Sequence, residues 1–128
     1  MKKLILLSVI VFSMCVISVS AQSRVRVKFA KNMYEKTLTG SIKGSDYIDY
    51  VIRIDEYQFI QGEIKSANKN VKMTVRKTDG SEFENGVDVR LFDGESEKTG
   101  DYVFRVYVKG GAKTPVKFSI KISSFMGT

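Results

Sequence analysis

The residues that could do chemistry in this chain are few, and they are carboxylates. Asp46 and Asp49, and Glu95 and Glu97, stand close enough in sequence to be considered as general acid and base. Each pair lies in a loop-rich or strand-edge context, where a solvated carboxylate is the expected state. A Ser-Lys arrangement is the other surviving possibility. There is no histidine, and the single cysteine is Cys15. Imidazole catalysis, Ser-His-Asp and Cys-His nucleophiles, and His/Cys zinc sites therefore have no residues to build them. The sequence thus reads as a non-enzyme with no catalytic residues, no metal ligands and no cofactor.

Cys15 belongs to a leader. Met1-Lys2-Lys3 precedes an apolar run from Leu4 to Val19, and Ser18-Val19-Ser20-Ala21 offers small residues where a signal peptidase reads. A membrane span needs ~20 apolar residues, and this run is shorter and broken by Ser8, Ser13 and Ser18. Met14 before Cys15 does not suit a lipoprotein. Residues 1–21 are expected to be a cleaved signal peptide and 22–128 a single domain, periplasmic or extracellular, with no membrane span after cleavage. Of the 21 lysines and arginines only Lys2 and Lys3 leave with the leader, so 19 remain against 14 Asp+Glu, a balance of +5. The basic residues are spread along the chain with no run that makes a patch, which suggests a solvated face and no nucleic-acid partner.

The elements that must position any site follow from period two, which recurs almost throughout. Val25, Val27 and Phe29 alternate with Arg24, Arg26 and Lys28. Leu38 and Ile42 flank Gly40, and Gly44-Ser45-Asp46 turns the chain. In "YIDYVIRI" Ile48, Tyr50, Ile52 and Ile54 point one way, and Tyr47, Asp49, Val51 and Arg53 the other. "QFIQGEIKS" continues the pattern around Gly62, a candidate bulge, and Val71, Met73 and Val75 share a face. Thr78-Asp79-Gly80-Ser81 is a hairpin-turn signal. "VDVRLF" aligns Val87, Val89 and Leu91, before a polar loop "DGESEKTG". Tyr102, Phe104, Val106 and Val108 form an inward row that ends at Gly110-Gly111, read as a tight hairpin into the last strand, where Val116, Phe118, Ile120 and Ile122 alternate with lysines. About eight short strands with turn residues between them predict an all-β, antiparallel, jelly-roll-like sandwich.

"VRVKFAKN", "LTGSIKGSDYIDYVIRI" and "TGDYVFRVYV", in this order in a short exported chain, resemble the periplasmic inhibitors of goose-type (g-type) lysozyme. They are also similar to the β-sandwich module at the C-terminal side of secreted bacterial peptidases. The inhibitor resemblance implies a sandwich that inserts loops into the sugar-binding cleft of the lysozyme. The family's Ser-Gly-x-Tyr at the start of a strand falls on Thr99, Gly100 and Tyr102. The arginines of its following loop are replaced here by Lys109 and Lys113 in "KGGAKTP". A tyrosine after the turn glycine is replaced by Ser45, while Asp46 and Tyr47 are kept. The implied contact surface is one end of the sandwich carrying Ser45, Asp46, Tyr47, Thr99, Gly100, Tyr102, Lys109 and Lys113. The implied partner is g-type lysozyme; the alternative is a non-catalytic module binding another protein or glycan of the envelope or the extracellular space.

Overall fold

A computed structural model of the protein describes residues 22–29 and 34–126; the leader, with its expected cleavage site and Cys15, lies outside the described residues. Eight strands follow in order: β1 (Gln22–Val27), β2 (Glu35–Ile42), β3 (Tyr47–Ile54), β4 (Gln58–Lys65), β5 (Val71–Arg76), β6 (Leu91–Glu95), β7 (Gly100–Val108) and β8 (Val116–Met126). The odd strands make one sheet in the order β1-β3-β7-β5, and the even strands make the other in the order β2-β8-β4-β6. β1 runs parallel to β3, and every other pair is antiparallel. Every connection therefore crosses from one sheet to the other. The all-β sandwich expected from the alternation is the observed fold.

Crossing at every turn corrects one expectation. β7 and β8 are not arms of a hairpin: β7 pairs with β3 and β5, and β8 with β2 and β4. Gly110 and Gly111, at φ 86° and 81°, do turn the chain through positive φ, but the turn hands it to the opposite layer. Local sequence marks a turn; only the long-range ladder says which strand lies beside which.

The inward rows of both sheets meet in one core. Tyr50, Ile52 and Ile54 of β3, Val71, Met73 and Val75 of β5, and Tyr102, Phe104 and Val106 of β7 face Ile60 and Ile64 of β4 and Phe118, Ile120 and Ile122 of β8. Burying side chains of this size contributes ~1.5–3 kcal/mol each, which explains how the described domain holds together without a cross-link. Gly62 is not a bulge, because it pairs in register with both Phe92 and Ile122. It is a point of close approach: a Cβ there would lie 2.8 Å from Phe104 Cε2 across the sandwich.

The segment after β5 departs most from the sequence reading. Thr78–Ser81 is a turn, with the Lys77 N–H donating to the Ser81 carbonyl at 2.7 Å and the Gly80 N–H to the Lys77 carbonyl at 3.0 Å. The chain then returns along the β5 edge through separate bridges at Arg76–Glu82 and Met73–Val89, and only afterwards enters β6 in the other sheet. Val87 and Leu91 are exposed, and Phe92 points inward at 1 % exposure. Asp88, at φ 54°, separates exposed Val87 from Val89, which bridges to Met73 and packs partly against the core; the crossing from the β5 edge into β6 of the other sheet then leaves Leu91 outside. Phe92 takes the core position, 4.9 Å from the Phe83 ring and 6.1 Å from that of Phe104.

Candidate functional site

Three loops meet at one end of the sandwich: 43–46 between β2 and β3, 66–70 between β4 and β5, and 109–115 between β7 and β8. Their backbones are tied together. The Gly44 N–H donates to the Ala112 carbonyl at 2.7 Å, and the Ala112 N–H returns a bond to the Gly44 carbonyl at 3.1 Å. The Lys109 N–H donates to the Asn70 carbonyl at 2.8 Å. Beneath loop 66–70, Arg90 donates to the carbonyls of Asn68, Val71 and Ser66 at 3.0–3.2 Å. Loops on a rigid sheet are where binding residues sit, and these form one surface. Lys43, Ser45, Lys69, Lys109 and Lys113 are all exposed on it, with Asp46 half-buried among them.

Side chains on the outer face of the odd-strand sheet brace that surface from below. Asp49 and Arg105 are direct cross-strand partners. Arg105 Nε and Nη2 donate to the two Asp49 carboxylate oxygens at 2.8 and 3.0 Å, a two-pronged charge-assisted pair. The same guanidinium stacks on the Tyr47 ring, 3.8 Å from its centroid, and so fixes Tyr47 at the root of loop 43–46. Asp49 is only 7 % exposed, which corrects the solvated state expected for it: Arg105 occupies it, so Asp46 and Asp49 do not form a free acid/base pair.

A second brace lies under loop 109–115. The Tyr107 hydroxyl bonds to Asp88 and to Thr74 Oγ1, and Lys109 Nζ lies 3.1 Å from Asp88. The Tyr107 hydrogen bond, followed by that of Lys109, holds the Asp88 carboxyl below its ordinary range. Burial, reinforced by Asp88, pushes the Tyr107 hydroxyl up to about 12. Lys109 is thus a partly neutralised charge, while Lys113 makes no ion pair among the described residues.

Ser45, Asp46, Tyr47, Lys109 and Lys113 are therefore brought together, and the remaining three expected contact residues are not. Tyr47 pairs with Tyr107 and Ile54 with Gly100, so Thr99 and Gly100 lie at the opposite end of the sandwich, about 24 Å away at ~3.4 Å per residue. Thr99 Oγ1 accepts the Glu56 N–H at 2.9 Å and ties that far end together. Tyr102 is 2 % exposed, with its hydroxyl donating to the Lys98 carbonyl at 2.6 Å; it is a core residue that anchors a turn. The sequence alone does not mark Arg105, Tyr107, Asp88 and Arg90 as supports. Opposite charges facing each other at 49 and 105 would have pointed to the first, had the pairing of the two strands been known.

No group of three or more His, Cys, Asp or Glu side chains placed to hold a metal occurs among the described residues, and no described helix is long and apolar enough to cross a membrane. No protein-family model matches the chain, and no curated protein does. Solved structures do. PliG of Aeromonas hydrophila, a periplasmic lysozyme inhibitor of g-type lysozyme, superimposes with a TM-score of 0.67 at 24 % identity, over 80 % of this chain and 96 % of that one. PliG of Salmonella Typhimurium gives 0.63 at 21 % identity, over 80 % and 97 %. The pre-peptidase C-terminal domain of collagenase from Bacillus anthracis gives 0.56 at 12 % identity, over 80 % and 94 %. Both groups that the sequence resembles thus share its fold.

Proposed function

We propose that this chain is a non-catalytic, exported β-sandwich that inhibits a g-type lysozyme by setting its three-loop end against the enzyme's saccharide cleft. The observation that carries this reading is the locking of loops 43–46, 66–70 and 109–115 into one lysine-bearing surface on a fold shared with the PliG inhibitors. Ser45, Asp46, Tyr47, Lys109 and Lys113 make the contact. A rigid surface loses little freedom on docking, and exposed lysines favour approach to an acidic cleft. Removal of residues 1–21 would deliver the domain to the periplasm or the medium. Lysine point charges in place of arginine forks make this contact salt-sensitive. A second reading, a binding module for another envelope or extracellular partner, has as its support the likeness to the collagenase domain. Lysis of bacterial walls by g-type lysozyme, followed with the purified protein in micromolar excess, separates the two: inhibition is expected, and undiminished lysis would favour the module.

A further inference from the structure

The alternation of strands between sheets sorts the charges. Outward positions of the even strands carry Lys65, Lys117 and Lys121 with Glu35, Glu63, Asp93 and Glu95. Outward positions of the odd strands carry Arg24, Arg26, Arg53, Lys72, Arg76 and Arg105 with Asp49 and Asp101. Of the six arginines in the sequence, five stand on this one face, and the sixth, Arg90, is spent on loop carbonyls. A chain with no basic run in sequence thus builds an arginine face by topology.

We propose that the outer face of the β1-β3-β7-β5 sheet binds an acidic polysaccharide, centred on Arg24, Arg26 and Arg53. The register places Arg24 and Arg26 two residues apart on β1, and Arg53 on β3 two rungs beyond Arg26. Their roots form a diagonal row with steps of about 7–8 Å. Arg26 is held by Asp101 through bonds of 2.7 and 3.0 Å, while Arg24 and Arg53, both exposed, make no ion pair among the described residues. Asp101 thus occupies Arg26, and Asp49, the register partner of Arg24, is occupied by Arg105, so the forks of Arg24 and Arg53 remain to take carboxylate, sulfate or phosphate groups.

The rest of the face selects the class of polyanion. The exposed large apolar side chains among the described residues are Tyr34, Tyr57, Phe59, Val87, Leu91, Phe125 and Met126, and none is an outward residue of an odd strand, so the face has nothing to insert into a bilayer. Its aromatic groups are engaged: Arg105 covers the Tyr47 ring, and Tyr107 is tied to Asp88 and Thr74. A single-stranded nucleic acid would find no free platform for its bases. A charged glycan needs neither feature. Arg24, Arg26 and Arg53 are none of the residues given to the lysozyme contact, so the proposal stands independently of lysozyme inhibition.

Titration calorimetry at low salt with a short heparin-derived oligosaccharide tests it. Binding is expected for the unaltered protein, at least about tenfold weaker for Arg24→Gln with Arg53→Gln, and weaker by severalfold for Arg24→Lys with Arg53→Lys, which keeps the charge and loses the fork. Lys117→Gln with Lys121→Gln removes the same charge from the opposite face and should change binding less than about twofold. Thermal unfolding of each variant establishes that the fold is kept. Absent binding, or equal loss from the two glutamine pairs, would overturn the proposal, as would equal or tighter binding of anionic lipid vesicles or single-stranded DNA that depends on Arg24 and Arg53. Undiminished binding by the lysine pair would overturn the part assigned to the guanidinium groups.

Discussion

Gly44 and Ala112, 68 residues apart in sequence, exchange two backbone hydrogen bonds and so make the loops after β2 and β7 a single unit. Gly111 beside them has φ 81°, and a Cβ there would meet the Gly44 carbonyl oxygen at 3.4 Å; Gly110 has φ 86° and open space around it. Alanine at either position should cost about 1–2 kcal/mol from positive φ alone. Only Gly111→Ala should also loosen the clamp and weaken partner binding beyond that of Gly110→Ala. Denaturant unfolding combined with binding of the two variants checks this; equal binding losses would place no functional weight on the clamp.

Gly62 and Phe104 should behave as a coupled pair. Phe104→Ala is expected to cost ~3–5 kcal/mol. Gly62→Ala, which sets a methyl 2.8 Å from Phe104 Cε2, should cost ~1–3 kcal/mol by overfilling. In the Phe104→Ala background the added methyl enters the vacated space, so the double variant should be more stable than the sum of the singles by at least ~1 kcal/mol. Additive losses in urea unfolding would show that the two sheets do not touch there. A Phe104→Ala loss under ~1 kcal/mol would contradict the inward assignment of its row.

Arg105 should be needed more by Asp49 than the pair is needed by the fold. Arg105→Ala leaves a carboxylate whose side chain is 9 % exposed without its partner, a change that typically costs ~3–5 kcal/mol. Arg105→Met with Asp49→Asn removes both charges and should be the more stable of the two variants. Equilibrium unfolding of both decides it, and the reverse order would mean that Asp49 reaches water once Arg105 is gone.

Tyr107 gives a pH signature. Its hydroxyl titrates at about 12 in the folded protein, against an ordinary value of 10.0. Folding therefore favours the protonated hydroxyl, and this stabilisation is complete below pH ~10 and lost as the pH rises through 12. Tyr107→Phe lacks the titration and lacks the hydrogen bonds to Asp88 and Thr74. The stability gap between unaltered protein and variant should accordingly narrow between pH 10 and 12. A constant gap across that window would show that the hydroxyl titrates normally.

How much of this was legible in the sequence depends on how far apart the cooperating residues lie. Alternation in "YIDYVIRI" and in Tyr102–Val108 is a local property, so the core rows of β3 and β7 could be read directly. The same rule fails at Val87–Leu91, where Asp88 takes a positive φ and the chain then passes from the β5 edge to the other sheet, neither of which a period-two count registers. Gly62 looked like a bulge because its reason, the Phe104 ring, belongs to the opposite sheet. The site divides in the same way: Asp46 and Lys113 were readable as loop residues, but that Thr99 lies at the other end follows only from the ladder pairing Tyr47 with Tyr107 and Ile54 with Gly100. The arginine face was invisible, since its members come from four strands spread between Arg24 and Arg105.

If the three-loop end engages g-type lysozyme as proposed, the affinity of paired charge reversals for the enzyme shows it. Lys109→Glu with Lys113→Glu should abolish binding and inhibition. Lys113→Glu alone, which leaves the Lys109–Asp88 pair in place, should weaken them. Lys117→Glu with Lys121→Glu, an identical change in net charge on the outer face of β8, should leave both nearly unchanged, and binding by the unaltered protein should fall with added salt, because exposed charges are screened over ~8–10 Å. Equal loss from the two pairs, or a lysozyme that stays fully active and unbound in a micromolar excess of the unaltered protein, would contradict the account.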